Sequence, residues 1–263
     1  MSGIILSPTS EHRYVDCSRI TDFDGAADSD FTVCLTIAIG AGGPVGGRIC
    51  GAWGVSNTWV VVSEASGVLD FCVASIYGFL KSFKTSAAWL TANTTTRIAF
   101  KGHRGNDTLV MFVDGASRAI EDWFGDANIG DGCPRAPGTG EITTLGYNPA
   151  DATAGEEMRC SQFAVFHSEL SDQDCIDYSS GAKTPAELAG APGTFYIPML
   201  TSGDMTDLWG AHAVVNHGGT WDAGTTGPPT TPPPTTIPPT TLAPTTGPPV
   251  AGQGSVFVDS VLD

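Results

Sequence analysis

The sequence predicts an all-β protein: a sandwich or jelly roll, then a Pro/Thr-rich extended stalk and a short C-terminal strand. Short β-rich segments recur between turn residues, and no segment carries a long amphipathic helical pattern. Glycine and proline supply 33 and 18 of the 263 residues. A content this high is typical of turn-rich β proteins or of disordered segments.

Nine segments with strand character follow one another within residues 1–222, each bounded by Gly, Asn, Asp or Pro. They are 31–39, 48–53, 58–63, 68–74, 95–101, 108–113, 141–146, 158–166 and 194–200. Within 31–39 every odd position is large and apolar, which predicts a strand with one buried face. Asp114-Gly115 predicts a tight hairpin turn. Strands of this number and spacing favour a sandwich or jelly roll.

Two short helices interrupt the strand pattern. Ser171 opens a capping-box sequence, and the helix is expected to run through Tyr178 and to stop near Gly181. Thr184-Pro185-Ala186-Glu187 places threonine at a cap, proline at the first position and glutamate at the third. Neither segment is long enough to form a helical layer.

Composition divides the chain into three parts: a β-sandwich (1–222), a spacer (223–250) and a C-terminal segment (251–263). Residues 225–249 are five units of five residues, rich in Thr and Pro and without charge. Proline removes amide donors and fixes φ, so this stretch predicts an extended spacer of up to about 75 Å. A flexible linker or a proline-rich docking ligand is the alternative; the lack of flanking Arg or Lys favours the spacer.

The C-terminal segment is apolar but too short to fold alone. We expect it to form one strand that pairs with a sheet edge of a partner, and a frayed terminus is the alternative. The residues predicted to anchor it are Val256, Phe257, Val258, Val261 and Leu262.

Charge and apolar content exclude several classes of partner. The formal net charge of −16 argues against nucleic acid, which requires a clustered basic surface. No apolar run approaches the ~18 residues of a membrane span. The apolar run at residues 4–6 is too short for a signal-peptide core, so we expect synthesis in the cytoplasm. The seven cysteines lack C-x-x-C spacing, which favours buried thiols over disulfides or zinc.

Several short stretches match motifs of one sandwich family in the family's order. They are 14–16, 23–25, 31–33, 97–100, 108–115, 160–166 and 169–174. Together they resemble the laminin G-like branch of the concanavalin A-like lectin/glucanase fold over residues 14 to 190. The sequence departs from the pattern at Thr95-Thr96-Arg97 and at Gln162-Phe163. The stretch 208–219 resembles a family motif usually found near the start, so we expect it to return to the first strand.

Calcium is the one cofactor with support in the sequence. Asp22, Asp24, Asp28 and Asp30 lie within nine residues beside a glycine, and calcium prefers several carboxylate and carbonyl oxygens from one loop. A solvated acidic turn is the alternative. The family resemblance further implies calcium or sugar at a rim loop, which here contains Asn148 and Asp151.

Candidate sugar-binding residues are aromatic side chains in turn-rich stretches, together with their polar neighbours. An aromatic face matches the apolar face of a pyranose ring. The candidates are Trp89, Asn93, Asp122, Trp123 and Asn148.

The sequence predicts no enzyme. Jelly-roll glucanases deliver their carboxylates from one strand as Glu-x-Asp-x-x-Glu, whereas here Glu121-Asp122 and Glu156-Glu157 are adjacent pairs that point to opposite faces. No Gly-x-Ser-x-Gly elbow occurs.

A lectin-like sandwich on a tether, made in the cytoplasm, is typical of a bacteriophage virion component, because virions assemble inside the cell. We therefore predict a capsid decoration or fibre protein that adheres to glycans or to the host surface. Its C-terminal segment would bind capsid or tail proteins, as a single chain or a homotrimer. A bacterial cell-surface adhesin and a purely structural capsid cement are the alternatives.

Overall fold

The computed structural model describes residues 2–6, 12–18, 20, 30–52, 59–74, 80–102, 109–124, 142–147, 149, 155–201 and 205–222, with only the backbone at 73–74, 80–81 and 121–124. Contacts divide the chain into Met1–Thr226 and Gly227–Asp263, and all described residues belong to the first unit. The predicted spacer (223–250) and C-terminal strand (251–263) lie outside the described residues and stay predictions.

Two antiparallel sheets form a sandwich, which confirms the predicted fold class. The strands of the described residues are, in chain order, β1 (Gly3–Leu6), β2 (Tyr14–Asp16), β3 (Phe31–Ile39), β4 (Arg48–Ala52), β5 (Trp59–Ser63), β6 (Leu69–Ala74), β7 (Leu80–Thr85), β8 (Thr95–Gly102), β9 (Leu109–Val113), β10 (Ala116–Arg118), β11 (Ile120–Phe124), β12 (Thr144–Gly146), β13 (Met158–Phe166), β14 (Phe195–Ile197), β15 (Val215–His217) and β16 (Thr220–Asp222).

Each sheet has eight strands among the described residues. Sheet A has the order β10-β9-β8-β3-β13-β1-β16, and β14 also pairs with β13. Sheet B has the order β11-β7-β6-β5-β4-β12-β2-β15. The hairpin predicted at Asp114-Gly115 joins β9 to β10, and both residues have positive φ, 49° and 81°.

The space between the sheets is filled by large apolar side chains from alternate strand positions. Trp59 and Phe71 of sheet B meet Phe31 and Phe100 of sheet A, and the Phe71 and Phe100 ring centroids lie 4.7 Å apart. All four side chains are buried. Burial of each such side chain contributes about 1.5–3 kcal/mol, so this interior holds the two sheets together.

A nine-residue helix, α1 (Asp172–Ser180), lies on the outer face of sheet A. Ser171 Oγ accepts a hydrogen bond from the Asp174 amide at 3.1 Å, and Gly181 ends the helix with φ of 80°. Both caps were predicted, as was the one-turn 3₁₀ helix Pro185–Glu187 with its capping box. None of the helices in the described part of the chain is long and apolar enough to span a membrane.

The prediction that β3 buries only one face is wrong, because all nine of its residues are buried. Among its outward side chains, Cys34 belongs to a second apolar cluster beneath α1, and the Thr36 hydroxyl lies 2.8 Å from the Tyr178 hydroxyl of the helix. The members of this cluster are Cys34, Ala99, Phe112, Ala164, Phe166, Leu170, Cys175, Tyr178, Leu188 and Tyr196. The helix and the segments beside it therefore cover part of this sheet face.

The segment after β14 closes the sandwich, as expected from its resemblance to a motif near the family's first strand. β15 pairs with β2 in sheet B, and β16 pairs with β1 in sheet A. The chain thus crosses from one sheet to the other within the turn at Gly218 and Gly219, and it adds one strand to each.

The described cysteines are free thiols, as predicted. They are Cys17, Cys34, Cys50, Cys72, Cys160 and Cys175. All but Cys72 are buried. Burial raises the pKa of Cys50 to about 12, so this thiol stays protonated at neutral pH.

Asp207 holds the start of the closing segment in place. Its buried carboxylate accepts hydrogen bonds from the Tyr196 amide at 3.0 Å, the Trp209 amide at 3.1 Å and the His212 ring Nδ1 at 2.7 Å. Burial acts to raise the pKa of this carboxyl group, but the donated hydrogen bonds outweigh burial, so the pKa lies below its ordinary value.

We expect Asp207→Asn to lower the free energy of unfolding by about 1–3 kcal/mol at pH 7, because the amide cannot accept all three bonds. A depressed carboxyl pKa stabilises the fold above the unfolded-state pKa of about 3.9 and loses this contribution as pH falls through the folded-state pKa. The difference between wild type and variant should therefore shrink below about pH 4, measured by urea unfolding across pH. Glu157→Gln, which removes an exposed carboxylate, is the control. An equal loss of stability in Glu157→Gln would contradict the stabilising role given to Asp207.

Candidate functional site

A cleft of about 380 Å³ opens on the outer face of sheet A, beyond the half that α1 covers. It is formed by the end of β3, the turn that follows it, the residues before β8, the start of β13 and one residue of β1. The lining residues are Ile5, Ala38, Ile39, Gly40, Ala41, Asn93, Thr95, Glu157, Met158 and Arg159.

Strand alternation explains which side chains meet in the cleft. Ala38 of β3 faces outward, and its direct partners are Thr95 on β8 and Arg159 on β13. Arg159 is in turn opposite Ile5 on β1. Directly opposed residues share a face, so these four side chains line one strip across the sheet.

Asn93 lies at the rim of the cleft in a left-handed conformation, with φ of 57°. Its backbone amide donates to the Ile39 carbonyl at 2.9 Å, which fixes the loop against the end of β3. Asparagine tolerates this conformation better than most residues. The side chain is exposed and makes no hydrogen bond to any residue that the structure describes.

Glu157 projects over Gly40 on the opposite rim. The Gly40 amide donates to the Glu157 backbone carbonyl at 2.7 Å, and a Cβ added at Gly40 would lie 2.8 Å from the Glu157 carboxyl group. Glu157 is exposed, whereas its neighbour Glu156 is fully buried and accepts from the Val45 amide at 2.8 Å. The prediction that these adjacent glutamates point in opposite directions is confirmed.

Arg159 forms an ion pair with Asp222 of the closing strand β16. The two side chains retain 30% and 33% of their exposure, so the pair is open to solvent at one side of the cleft. Strand β16 thus supplies a counter-charge for Arg159, the one cation among the described residues that line the cleft.

The predicted sugar-binding residues lie in different places. Asn93 is in the cleft, but Trp89 is half-buried against the main core, and the Arg118 guanidinium lies 3.7 Å from its ring centroid. Asp122 and Trp123 are in β11, where only the backbone is described. A role for these residues in sugar binding stays a prediction, as it does for Asn148, which lies outside the described residues.

Most of the predicted calcium ligands also lie outside the described residues, namely Asp22, Asp24, Asp28 and Asp151. Asp30 is half-buried directly before β3. Within the described ranges, no group of three or more His, Cys, Asp or Glu side chains is placed to hold a metal ion. Calcium binding stays a prediction.

Sequence analysis missed Glu157, Arg159 and Asp222 as site residues. Glu157 and Arg159 flank the apolar Met158 in the sequence. This alternation at the start of a predicted strand indicates that both side chains face outward, so it could have identified them. The position of Asp222 beside Arg159 depends on the pairing of β16 with β1, the last and first strands of the described sandwich in chain order.

The chain shares its fold with a solved Bacteroides ovatus protein that is provisionally assigned as carbohydrate-binding. The TM-score is 0.56 at 14% sequence identity, and the match covers 84% of this chain and 59% of that protein. This chain therefore spans less than two thirds of that protein's length. No family model matches the chain, and no curated protein matches it.

Two further solved structures match at lower TM-scores. A SAP-like pentraxin from Limulus polyphemus has a TM-score of 0.48 at 12% identity, covering 84% of this chain and 94% of that one. The CBM40 of a Ruminococcus gnavus IT-sialidase, bound to α2,6-sialyllactose, has a TM-score of 0.44 at 15% identity, covering 68% and 97%.

The cleft combines hydrogen-bonding groups at its rim with a floor that carries both apolar and polar side chains. Asn93 supplies an amide that both donates and accepts, and Glu157 supplies acceptor oxygens. Ala38 and Ile5 supply apolar surface on the two sides of Arg159. An open cleft of this kind suits a ligand that has several hydroxyl groups and an apolar face.

We expect the stability cost of a glycine-to-alanine substitution to depend on whether the atoms next to the new methyl group can move. In Gly40→Ala the three atoms nearest to the new methyl group all belong to the Glu157 side chain, which can rotate away, so the cost should stay below about 1 kcal/mol. In Gly47→Ala it meets the Glu156 backbone at 2.8 Å, and a loss of about 1–3 kcal/mol is expected. Gly42→Ala, with nothing within 4 Å, is the control.

Urea unfolding measures all three, and a crystal structure of Gly40→Ala should show the Glu157 carboxyl group displaced. Equal losses at Gly40 and Gly47 would mean that the Glu157 side chain is fixed.

Proposed function

We propose that the sandwich binds carbohydrate and is not a catalyst. The observation that carries this proposal is the cleft on sheet A, where Asn93 and Glu157 lie at the rim and Ala38 and Ile5 add apolar surface to the floor. A pyranose ring presents hydroxyl groups around its edge and C–H groups on its face, which matches this division of polar and apolar surface.

The fold supports the same proposal. The Bacteroides ovatus protein that shares the fold carries a provisional carbohydrate-binding assignment. Fold alone does not define a ligand, so the proposal depends on the side chains that the cleft adds to it.

In this proposal Asn93 and Glu157 hold adjacent sugar hydroxyls from the two sides of the cleft. The Asn93 amide can donate to one hydroxyl oxygen while Glu157 accepts from another, and Ala38 and Ile5 contact the face of the ring. Glycoside hydrolysis usually needs two carboxyl groups that flank the bond. Among the described residues that line the cleft only Glu157 carries one, which supports binding without cleavage.

We further propose that the chain is a virion surface protein, a capsid decoration or a fibre, that displays this sandwich. The support is the order of segments in the sequence: a sandwich, an uncharged Thr/Pro-rich spacer, and an apolar segment with strand character. The C-terminal segment would pair with a capsid or tail protein. Three bundled copies would make binding multivalent, which compensates for a weak single site.

We expect Asn93→Gly to weaken carbohydrate binding at least about tenfold, because it removes one hydrogen-bonding group from a small site. Glycine accepts the left-handed conformation without strain, so the fold should be unchanged. The measurement is a glycan array followed by calorimetric titration of a retained glycan. Gly42→Ala, an exposed substitution in the turn after β3 at a residue that is not among the lining residues, serves as the control.

Full binding by Asn93→Gly would place the sugar elsewhere. Retention of no glycan by the wild-type chain would contradict carbohydrate binding and would favour a structural cement.

We expect deletion of residues 251–263 to abolish incorporation into particles while leaving glycan binding intact. The deletion removes the predicted pairing strand and leaves the described sandwich whole. The measurement is the amount of protein that co-sediments with purified virions, with Val256→Ala as a milder companion. Unchanged incorporation would refute the anchor, and recovery of the native protein in a bacterial envelope fraction would favour a cell-surface adhesin.

A further inference from the structure

We propose that the cleft selects neutral sugars and rejects anionic ones such as sialic acids, uronic acids and sulfated sugars. This inference rests on the proposed carbohydrate binding and names the ligand class of the same site. The charges in and beside the cleft support it.

The cation that lines the cleft is already paired. The Arg159 guanidinium forms an ion pair with the Asp222 carboxylate, which the β1–β16 pairing holds on the same edge of sheet A. An anionic sugar that used Arg159 would have to displace or share this intramolecular partner. An arginine recognises a carboxylate best when its planar fork is available for two parallel bonds.

The opposite rim carries a carboxylate. Glu157 is exposed, lines the cleft and makes no hydrogen bond to a described residue. Its oxygens only accept while it is ionised, so they attract hydroxyl groups and repel a second carboxylate. Arg159, Asp222 and Glu157 together give the site a formal charge of −1 on a chain whose net charge is −16.

Repulsion of this kind is a source of specificity. A ligand is excluded when its binding would place like charges side by side or leave a charge without its partner. A neutral sugar has neither cost, because its hydroxyls donate to Glu157 and leave the Arg159–Asp222 pair intact.

The experiment compares matched pairs of glycans that differ by one acidic group, using the full-length chain on an array at about 150 mM salt. We expect the neutral member of each pair to bind and the anionic member to bind at least about tenfold more weakly. The double variant Glu157→Gln with Asp222→Asn changes the formal charge of the site from −1 to +1. In this variant the preference for the neutral member should fall at least about tenfold.

A control variant separates local charge from net charge. Asp172→Asn with Glu187→Gln removes two carboxylates on or near the helices, away from the cleft lining, and should leave the preference unchanged. Thermal unfolding confirms that both double variants are folded.

The outcomes distinguish the two proposals. Equal or tighter binding of anionic glycans by the wild-type chain overturns the inference but supports carbohydrate binding. An equal shift in the control variant, or no shift in the cleft variant, also overturns the inference. Binding of no glycan at all overturns the proposed function itself.

Discussion

The register between β3 and β13 is the constraint on which the rest of the molecule depends. Met158 and Cys160 face the interior at one end of β13, and Phe163 and Val165 face it at the other. Cys160 and Phe163 are three positions apart, so strict alternation would turn one of these pairs outward. The register shift between Cys160 and Gln162 inserts an extra residue and restores the phase. Without the extra residue half of this strand's apolar side chains would lie on the wrong face, and a slip of the whole strand by one residue would move all of them.

The same register divides the outer face of sheet A into two halves. Beyond the bulge, Ala164 and Phe166 face outward beside Cys34, and α1 with its flanking segments covers them as a second apolar cluster. Before the bulge, Arg159 faces outward beside Ala38, and the face opens into the cleft. One strand therefore specifies both where the helix packs and where the candidate site lies.

Most of the fold follows from local patterns, whereas the site does not. The boundaries of β3 and β13 and both caps of α1 agree with predictions from alternation, turn residues and capping sequences, which act within a few residues. The burial of both faces of β3 was missed, because it depends on α1, about 140 residues away. Glu157 was recognised only as a glutamate that turns away from Glu156. Its position beside Gly40 and across from Asn93 requires the registers of β3, β8 and β13 together.

The closing strand β16 contributes both to the fold and to the charge of the candidate site. β16 completes sheet A by pairing with β1, and its last residue, Asp222, neutralises Arg159. Were this strand unpaired, Arg159 would lose its ion pair with Asp222, and the proposed preference for neutral sugars would weaken with it. The charge of the cleft is therefore a property of the closed sandwich. The three residues that define this charge, Glu157, Arg159 and Asp222, all belong to the described sandwich.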